Sequence, residues 1–549
     1  MSSAGIPNPI ADEVIRRQGR MKTWRGNFES VWQQIAQLVL PRADDFLGKR
    51  APGQRTADNL IFDSTGQLAL PLYAAAVEAM VCPRTQKWHS LKPLSPKLQD
   101  NNPVALYLEN MRDLLFKIRY SPHTNFASVM SESFLGLGAF GNYGVFVEDG
   151  LHKGLRYQAI PLVELYWLED SYGTIDTVHR CYMLTARQAL QRWPNTLSEK
   201  MRECATAEPD REFEFIHCVR PNEERGKVAG WRGYQFASYD ICVSDRTLLD
   251  EGGFRKMPYA IGRDVTAPRE IYARGATWNA LADLKMLQMM GRDSIRYAQL
   301  TLDPPTITAD VDSLAPYSRR AGAINAGYMS DQGTVLAKEM PPNADPRPAL
   351  EVAQQRRDNV GRALLTPYFQ ILVDTPQMTA TESMYRQQEK GALLAPTMSR
   401  QQETLSVVID REIDILLHAG VFEAELGPVP EELLMEGGGL AVQFDSPLTR
   451  AQRSEEAVGI LKTIEAITPL ANINPGIMRR INGDETLKIL SDVNGAPVKW
   501  LYNDEQLAAM NEADAQAEQA KQLTEAAPVI TESLKNLAQA KQMVTAAPF

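Results

Sequence analysis

The chain has 549 residues, 44% hydrophobic and 23% charged, with a formal net charge of −10. That length exceeds one compact core, so about two to four domains are expected, and the ordinary composition excludes a disordered chain or a disulfide-stapled secreted scaffold. The acidic balance argues against a surface that clamps nucleic acid everywhere, while allowing a local basic stripe.

Five cysteines, Cys82, Cys181, Cys204, Cys218 and Cys242, are odd in number, and none are spaced C-x-x-C. They read as buried thiols in a reducing compartment, not as a disulfide framework or zinc ribbon. The opening "MSSAGIPNPIADEVIRRQ" lacks the basic-then-apolar build of a signal peptide, so export by that route is not expected.

Val14, Trp24, Phe28, Trp32, Ile35 and Leu38 recur at helical steps, which predicts an amphipathic helix from Ala11 to Leu40, ended by Pro41. "PRADDFLGKRAPGQRTADN" reads as a mobile loop. Helices are expected around Thr65–Val81, Pro103–Tyr120 and Thr124–Leu137. The most apolar of these, "LALPLYAAAVEAMV", contains Pro71 and Glu78 and is shorter than the roughly 20 residues a bilayer requires, so it is a core helix and no membrane span is expected.

Between Asn142 and Asp250 the period changes. "NYGVFVED", "LRYQAIP", "VELYWLED", "IDTVHRCYML", "REFEFIHCVRP" and "GYQFASYDICVSD" are rich in aromatic and β-branched residues and are separated by turn signals. They predict a mainly antiparallel sheet, interrupted by a helix that Thr185 caps. The fold class is therefore mixed α+β and helix-rich. A long helix follows Ala273 and ends near Asp303, and a second runs from Pro348 to about Leu365, with proline in its first turn. In a third, Thr379 and Glu382 match a capping box, and a kink is expected around Gly391 and Pro396 before His418. The strand "LAVQFD" precedes a helical C-terminal region, in which Ile530, Leu534, Leu537 and Val544 form a seam that needs a partner helix.

In "FLGLGAFGNYGVFVED", Gly136, Gly138 and Gly141 fit G-x-G-x-x-G, the spacing of a dinucleotide loop. Such a loop works because a strand delivers glycines to a helix N-terminus. Here a helix comes first and a strand follows, so a helix C-terminus would face the phosphates. A helix-to-strand junction is the better reading. No G-x-x-x-x-G-K-[ST], H-E-x-x-H or G-x-S-x-G occurs, the six histidines are scattered, and His217 and Cys218 point to opposite faces of a strand. No cofactor, metal or catalytic residue is expected.

Arg274, Lys285, Arg292 and Arg296 are spaced 11, 7 and 4 apart, which places them on one helix face. This is either a basic track facing DNA phosphates or a solvated face with ion pairs to neighbours such as Asp293. The second helix adds Arg356, Arg357 and Arg362.

"FGNYGVFVED", "LRYQAIPLVELYWLEDSYGTIDTVHRCYMLTARQALQRW", "IYARGATWNALADLKMLQ", "QMTATESMYRQQEKGALLAPTMSRQQETLSVVIDREIDILL" and "AVQFDSPLTRAQRSEE" occur in an order that resembles the portal proteins, or head-to-tail connectors, of short-tailed bacteriophages. One departure is Ala273 in "IYARG", where relatives commonly have glycine. The resemblance implies a non-enzymatic ring of about twelve subunits at one capsid vertex, closed by rotational symmetry. It would carry double-stranded DNA without reading sequence, during packaging, retention and ejection. Implied partners are the major capsid protein, scaffold or core proteins, the terminase large subunit and a tail adaptor. The implied location is the virion, after synthesis in the host cytoplasm.

The resemblance further implies a wing over 1–273, a first stem helix over 274–300, a clip over 301–346 and a second stem helix over 347–368. A channel loop would follow over 369–378, then a long wing helix and strand over 379–447 and a crown over 448–549. The channel loop would comprise Leu372, Val373, Asp374, Thr375, Pro376, Gln377 and Met378, and the basic residues of the two stem helices become candidates for the DNA channel or for subunit contacts. Two rivals are a nucleotide-dependent enzyme using residues 136–141 and a helical scaffold that never joins a virion.

Overall fold

The computed structural model of the chain describes residues 8–48, 61–98, 101–150, 154–308, 329–330, 332–335, 337–339, 345–367, 380–435, 439–445, 459–467 and short stretches between 469 and 517, with residues 380–394 described by their backbone. Two units emerge: residues 1–89, 114–427 and 444–451 form the first, and residues 90–113, 428–443 and 452–549 the second.

In the first unit, α1 (Pro9–Val39) begins where the side chain of Asn8 accepts the amide of Ile10 at 2.9 Å, and it stops before Pro41. Helix α2 (Thr65–Val81) passes through Pro71. The chain then runs through β1 (His89–Pro93) and α3 (Asn102–Arg119) to α4 (Phe126–Phe140). Gly141 ends α4 at φ +76°, a left-handed conformation that glycine adopts without steric cost, and β2 (Asn142–Asp149) starts at the next residue. The glycine run is thus a helix-to-strand junction.

The predicted sheet is two antiparallel sheets, and it extends past Asp250. β3 (Leu155–Ile160) and β4 (Leu165–Glu169) are separated by a tight turn at Leu162–Glu164, which breaks the pairing between them. β5 (Ile175–Thr185), α5 (Ala186–Arg192), α6 (Glu199–Ala207), β6 (Glu212–Pro221), β7 (Phe236–Cys242), β8 (Thr247–Phe254) and β9 (Tyr259–Arg263) follow. The orders are β4-β5-β6-β7-β8 and β3-β2-β9, with β2 pairing Val145 to Ala159 on one side and to Ala260 on the other. Thr185 caps α5 in a full capping box with Gln188. One cluster on the large sheet joins Trp193, Leu197 and Met201 to Tyr182 and Phe215, and another joins Ala11 and Val14 of α1 to Ile216, Cys218 and Ile241.

Helix α7 (Ala276–Leu302) leads to β10 (Thr306–Thr308), which pairs antiparallel with β11 (Ala337–Glu339), and α8 (Arg347–Ala363) returns along α7. Helix α9 (Ala380–His418) is continuous through Gly391 and Pro396. Its Gln401 and Thr404 donate to the carbonyls of Arg263 and Ile261, at 3.0 and 3.5 Å, and so cover the edge strand β9. Helix α10 (Val421–Leu426) closes the unit.

The second unit contains most of β1, the first two thirds of α3, the short helix α11 (Glu431–Met435) and most of β12 (Leu440–Phe444), which pairs with β1. Ser90 donates to the carbonyl of Gln443 at 3.5 Å. Thr379, the predicted channel-loop residues 372–378, the seam of Ile530, Leu534, Leu537 and Val544, and most of the predicted clip lie outside the described residues, as does the side chain of Glu382.

Candidate DNA-channel and inter-subunit site

Helix α7 is anchored at its start by the glycine junction. Tyr272 is buried in an aromatic cluster, with ring centroids 5.6 Å from Phe28, 5.4 Å from Trp32 and 4.3 Å from Trp167. Next to it, Asn142 donates to the carbonyl of Ala273 at 2.8 Å and accepts its amide at 2.9 Å. Gly141 and Gly275 meet backbone to backbone, so a methyl group on either would strike the other. Thr277, in the first turn of α7, donates to the carbonyl of Gly138 at 2.8 Å. Ala273 has no positive φ and sits fully buried, so alanine meets the backbone demand at this position.

This anchor corrects the predicted helix start. Arg274 lies before α7, bridged to Val265, because the Asn142 clamp and the Gly141 contact hold residues 273–275 outside the helix. Its guanidinium pairs with Glu270 and lies over Trp278, 5.3 Å from the ring centre. The first helix ends at Leu302, next to the expected Asp303, and the second at Ala363, two residues before the expected Leu365.

Lys285 is exposed and donates to Gln34 of α1. Arg292 lies 3.6 Å from Asp293, with both side chains more than half exposed. Arg296 is exposed and has no ion pair or hydrogen bond among the described residues. On α8, Arg356 pairs with Asp283 of α7 at 2.9 Å, and Arg357 pairs with Asp63 at 3.0 Å. Arg362 is exposed.

Asp63 belongs to a node that sequence reading missed. The side chain of Gln288 accepts the amides of Phe62 and Asp63, at 2.6 and 3.0 Å, and donates to the Asp63 carbonyl at 2.8 Å. Burial disfavours the Asp63 carboxylate, but hydrogen bonds from Thr65 and the Arg357 guanidinium outweigh it and hold its pKa below the usual range. The segment before α2 therefore joins α7 to α8. Nothing local marks it, because residues 63, 288 and 357 are far apart in sequence; only Asp283, within α7, had a visible position next to the basic residues.

The other candidates are structural. A cleft of about 740 Å³ runs past Gly136, lined also by Arg42, Arg84, Ser131 and Glu132, but α4 brings its carbonyl end to the glycine junction. The Cys218 thiol donates to His179 at 3.2 Å, and His179 contacts Gln18 at 3.0 Å through its other nitrogen. Burial pushes the thiol up to about 12 and the imidazole down to about 3, the reverse of an activated thiolate–imidazolium pair. His217 faces the other way, to Tyr259 and Ser238 at 2.6 and 2.9 Å. Among the described residues no group of three or more His, Cys, Asp or Glu side chains could hold a metal, and no helix is long and apolar enough to cross a membrane.

Two curated proteins are similar over most of this length. The portal protein of Salmonella phage epsilon15 is 23% identical over 498 residues, covering 88% of this chain and 87% of that one. The probable portal protein of Bordetella phage BPP-1 is 24% identical over 507 residues, with the same coverage. Among solved structures, the virion of a native gene transfer agent particle contains a chain 14% identical at a TM-score of 0.36, covering 77% of this chain and 92% of that one. The neck of the empty particle gives 13% identity at 0.37, with the same coverage. The model of the bacteriophage head to tail connecting protein family matches residues 11–501, and the chain belongs to that family.

Proposed function

We propose that the chain is the portal of a short-tailed phage, a structural connector that is not an enzyme, forming a ring at one capsid vertex. The observation that carries this is the family match over residues 11–501, which includes both helices of the α7–α8 pair. Rotation repeats each residue, so in a ring of about twelve a charge of −10 becomes on the order of −120, while one exposed arginine becomes a belt of about twelve positive charges. An acidic body with local basic belts guides DNA through phosphate contacts without holding it, as sliding requires.

The ring is the passage for genome packaging, retention and ejection. It docks the terminase during packaging and the tail adaptor afterwards, and contacts the capsid and scaffold proteins. Residues 372–378 form the channel loop. Electron microscopy of the purified protein is the test: rings with a central hole are expected, and persistent monomers under assembly conditions overturn the proposal. Deleting part of "LVDTPQM" is expected to impair DNA retention more than ring formation; intact retention in rings of that variant removes the loop assignment.

A further inference from the structure

The α7–α8 pair carries a basic stripe on the outer flank of α7 and an acidic middle segment on the outer flank of α8. At 100° per residue, Arg292 lies about 180° around α7 from Asp283, with Lys285 and Arg296 within about 40° of it. Asp283 marks the side of α7 that holds its own α8, through Arg356 at 2.9 Å. The basic residues therefore occupy the opposite flank. On α8, Asp358 and Glu351 lie about 200° and 220° from Arg356, again on the flank turned away from α7.

These charges are exposed and lack strong partners. Lys285 is held by a neutral glutamine, Arg292 has only the exposed Asp293 beside it, and Asp358 accepts from Gln354 at 3.0 Å. Arg296 and Glu351 have no partner among the described residues. Met289, 58% exposed, adds apolar surface beside the basic stripe. Arg347, paired with Asp345 at 3.5 Å, and Arg362 share the α8 flank at its two ends, so the acidic character is confined to the middle of that helix, at Glu351 and Asp358.

A head-to-tail ring joins two different surfaces of the same chain. We infer that the ring closes through a charge-complementary contact in which the α7 flank bearing Lys285 and Arg292 receives the α8 flank bearing Glu351 and Asp358 of a second copy. The inference rests on the ring proposed above and places these basic residues at subunit contacts, not at the channel surface. The heights agree. The Asp283–Arg356 pair sets α8 against α7, and because α8 runs antiparallel, Glu351 comes level with Gln288, between Lys285 and Arg292. Rotation about an axis along the helices keeps that level in the second copy.

The test uses the full chain with Arg292→Glu and Glu351→Lys, separately and mixed, read by mass photometry and electron microscopy. Each variant alone faces like charges at every contact, and the concentration needed for ring formation is expected to rise about tenfold or more. Mixing the two folded monomers restores rings, because every contact in an alternating ring then joins opposite charges. Single variants that assemble like the wild type, or a mixture no better than its components, overturn the inference while leaving the ring proposal standing. A wild-type chain that forms no rings overturns both, and unchanged melting of the single variants excludes misfolding.

Discussion

The side chain of Asn142 grips both backbone groups of Ala273, donating to its carbonyl and accepting its amide, with both residues fully buried. The first residue of β2 thereby fixes the segment from which α7 departs. Asn142→Ala leaves a buried N–H and a buried C=O without partners, and is expected to cost about 2–4 kcal/mol. Urea unfolding should show a lower midpoint at unchanged slope. Gly141→Ala should destabilise the same junction, since its φ is positive and its neighbour is the Gly275 backbone.

Arg119 and Glu412 form an ion pair in which neither side chain is exposed. Tyr157 donates to Glu412 at 2.5 Å, and Arg119 donates to Nε2 of His89 at 2.9 Å. Burial opposes the Arg119 charge, yet the adjacent carboxylate holds its pKa above the ordinary arginine value. Glu412→Gln strands a buried cation and is expected to cost about 3–5 kcal/mol. Replacing the set together, Arg119→Leu with Glu412→Leu and Tyr157→Phe, should recover more than half of that loss in the same denaturation measurement.

His179 gives a pH dependence. Its folded pKa of about 3 lies below the ordinary 6.5 because burial disfavours the imidazolium. The unfolded chain therefore binds a proton that the folded chain refuses, and stability falls as pH drops from 6.5 towards 3. At pH 5 the cost is about 2 kcal/mol. Chemical denaturation from pH 7 to 5 should show this loss, and His179→Gln should flatten part of the slope. The His217 pKa is also lowered by burial and adds to the residual slope.

Arg356 and Arg362 separate an internal role from an external one at equal change of charge. Arg356→Gln breaks the pair with Asp283, whose side chains are 35% and 24% exposed, and is expected to cost about 1 kcal/mol. Arg362→Gln removes an exposed charge and should stay within about 0.5 kcal/mol in thermal unfolding. A larger effect of Arg362→Gln on ring assembly or DNA packaging then reports contacts outside the folded chain.

The sequence by itself determined the elements whose pattern is local. "TGQLALPLYAAAVEAMV" became α2 over the predicted residues, "NYGVFVED" became β2 without change, and Thr185 capped its helix, because side-chain period and cap chemistry act over neighbouring residues. Strands β8 and β9 escaped notice: Gly252 and Gly253 dilute the alternation of one, and the other is only five residues long. The order Gly136, Gly138, Gly141, then strand, was enough to reject a phosphate loop.

Only the tertiary structure decided what that junction holds. Asn142 and Ala273, or Asp63, Gln288 and Arg357, meet because distant segments pack together, and no local period encodes such a meeting. The same packing divided the basic residues that sequence grouped by type. Arg274 was drawn out of the helix, Arg356 and Arg357 were paired with carboxylates of distant segments, and Arg292, Arg296 and Arg362 were left exposed with no such partner among the described residues. Helical spacing puts charges on one face; which face remains exposed depends on where α1, α2 and α8 settle against α7.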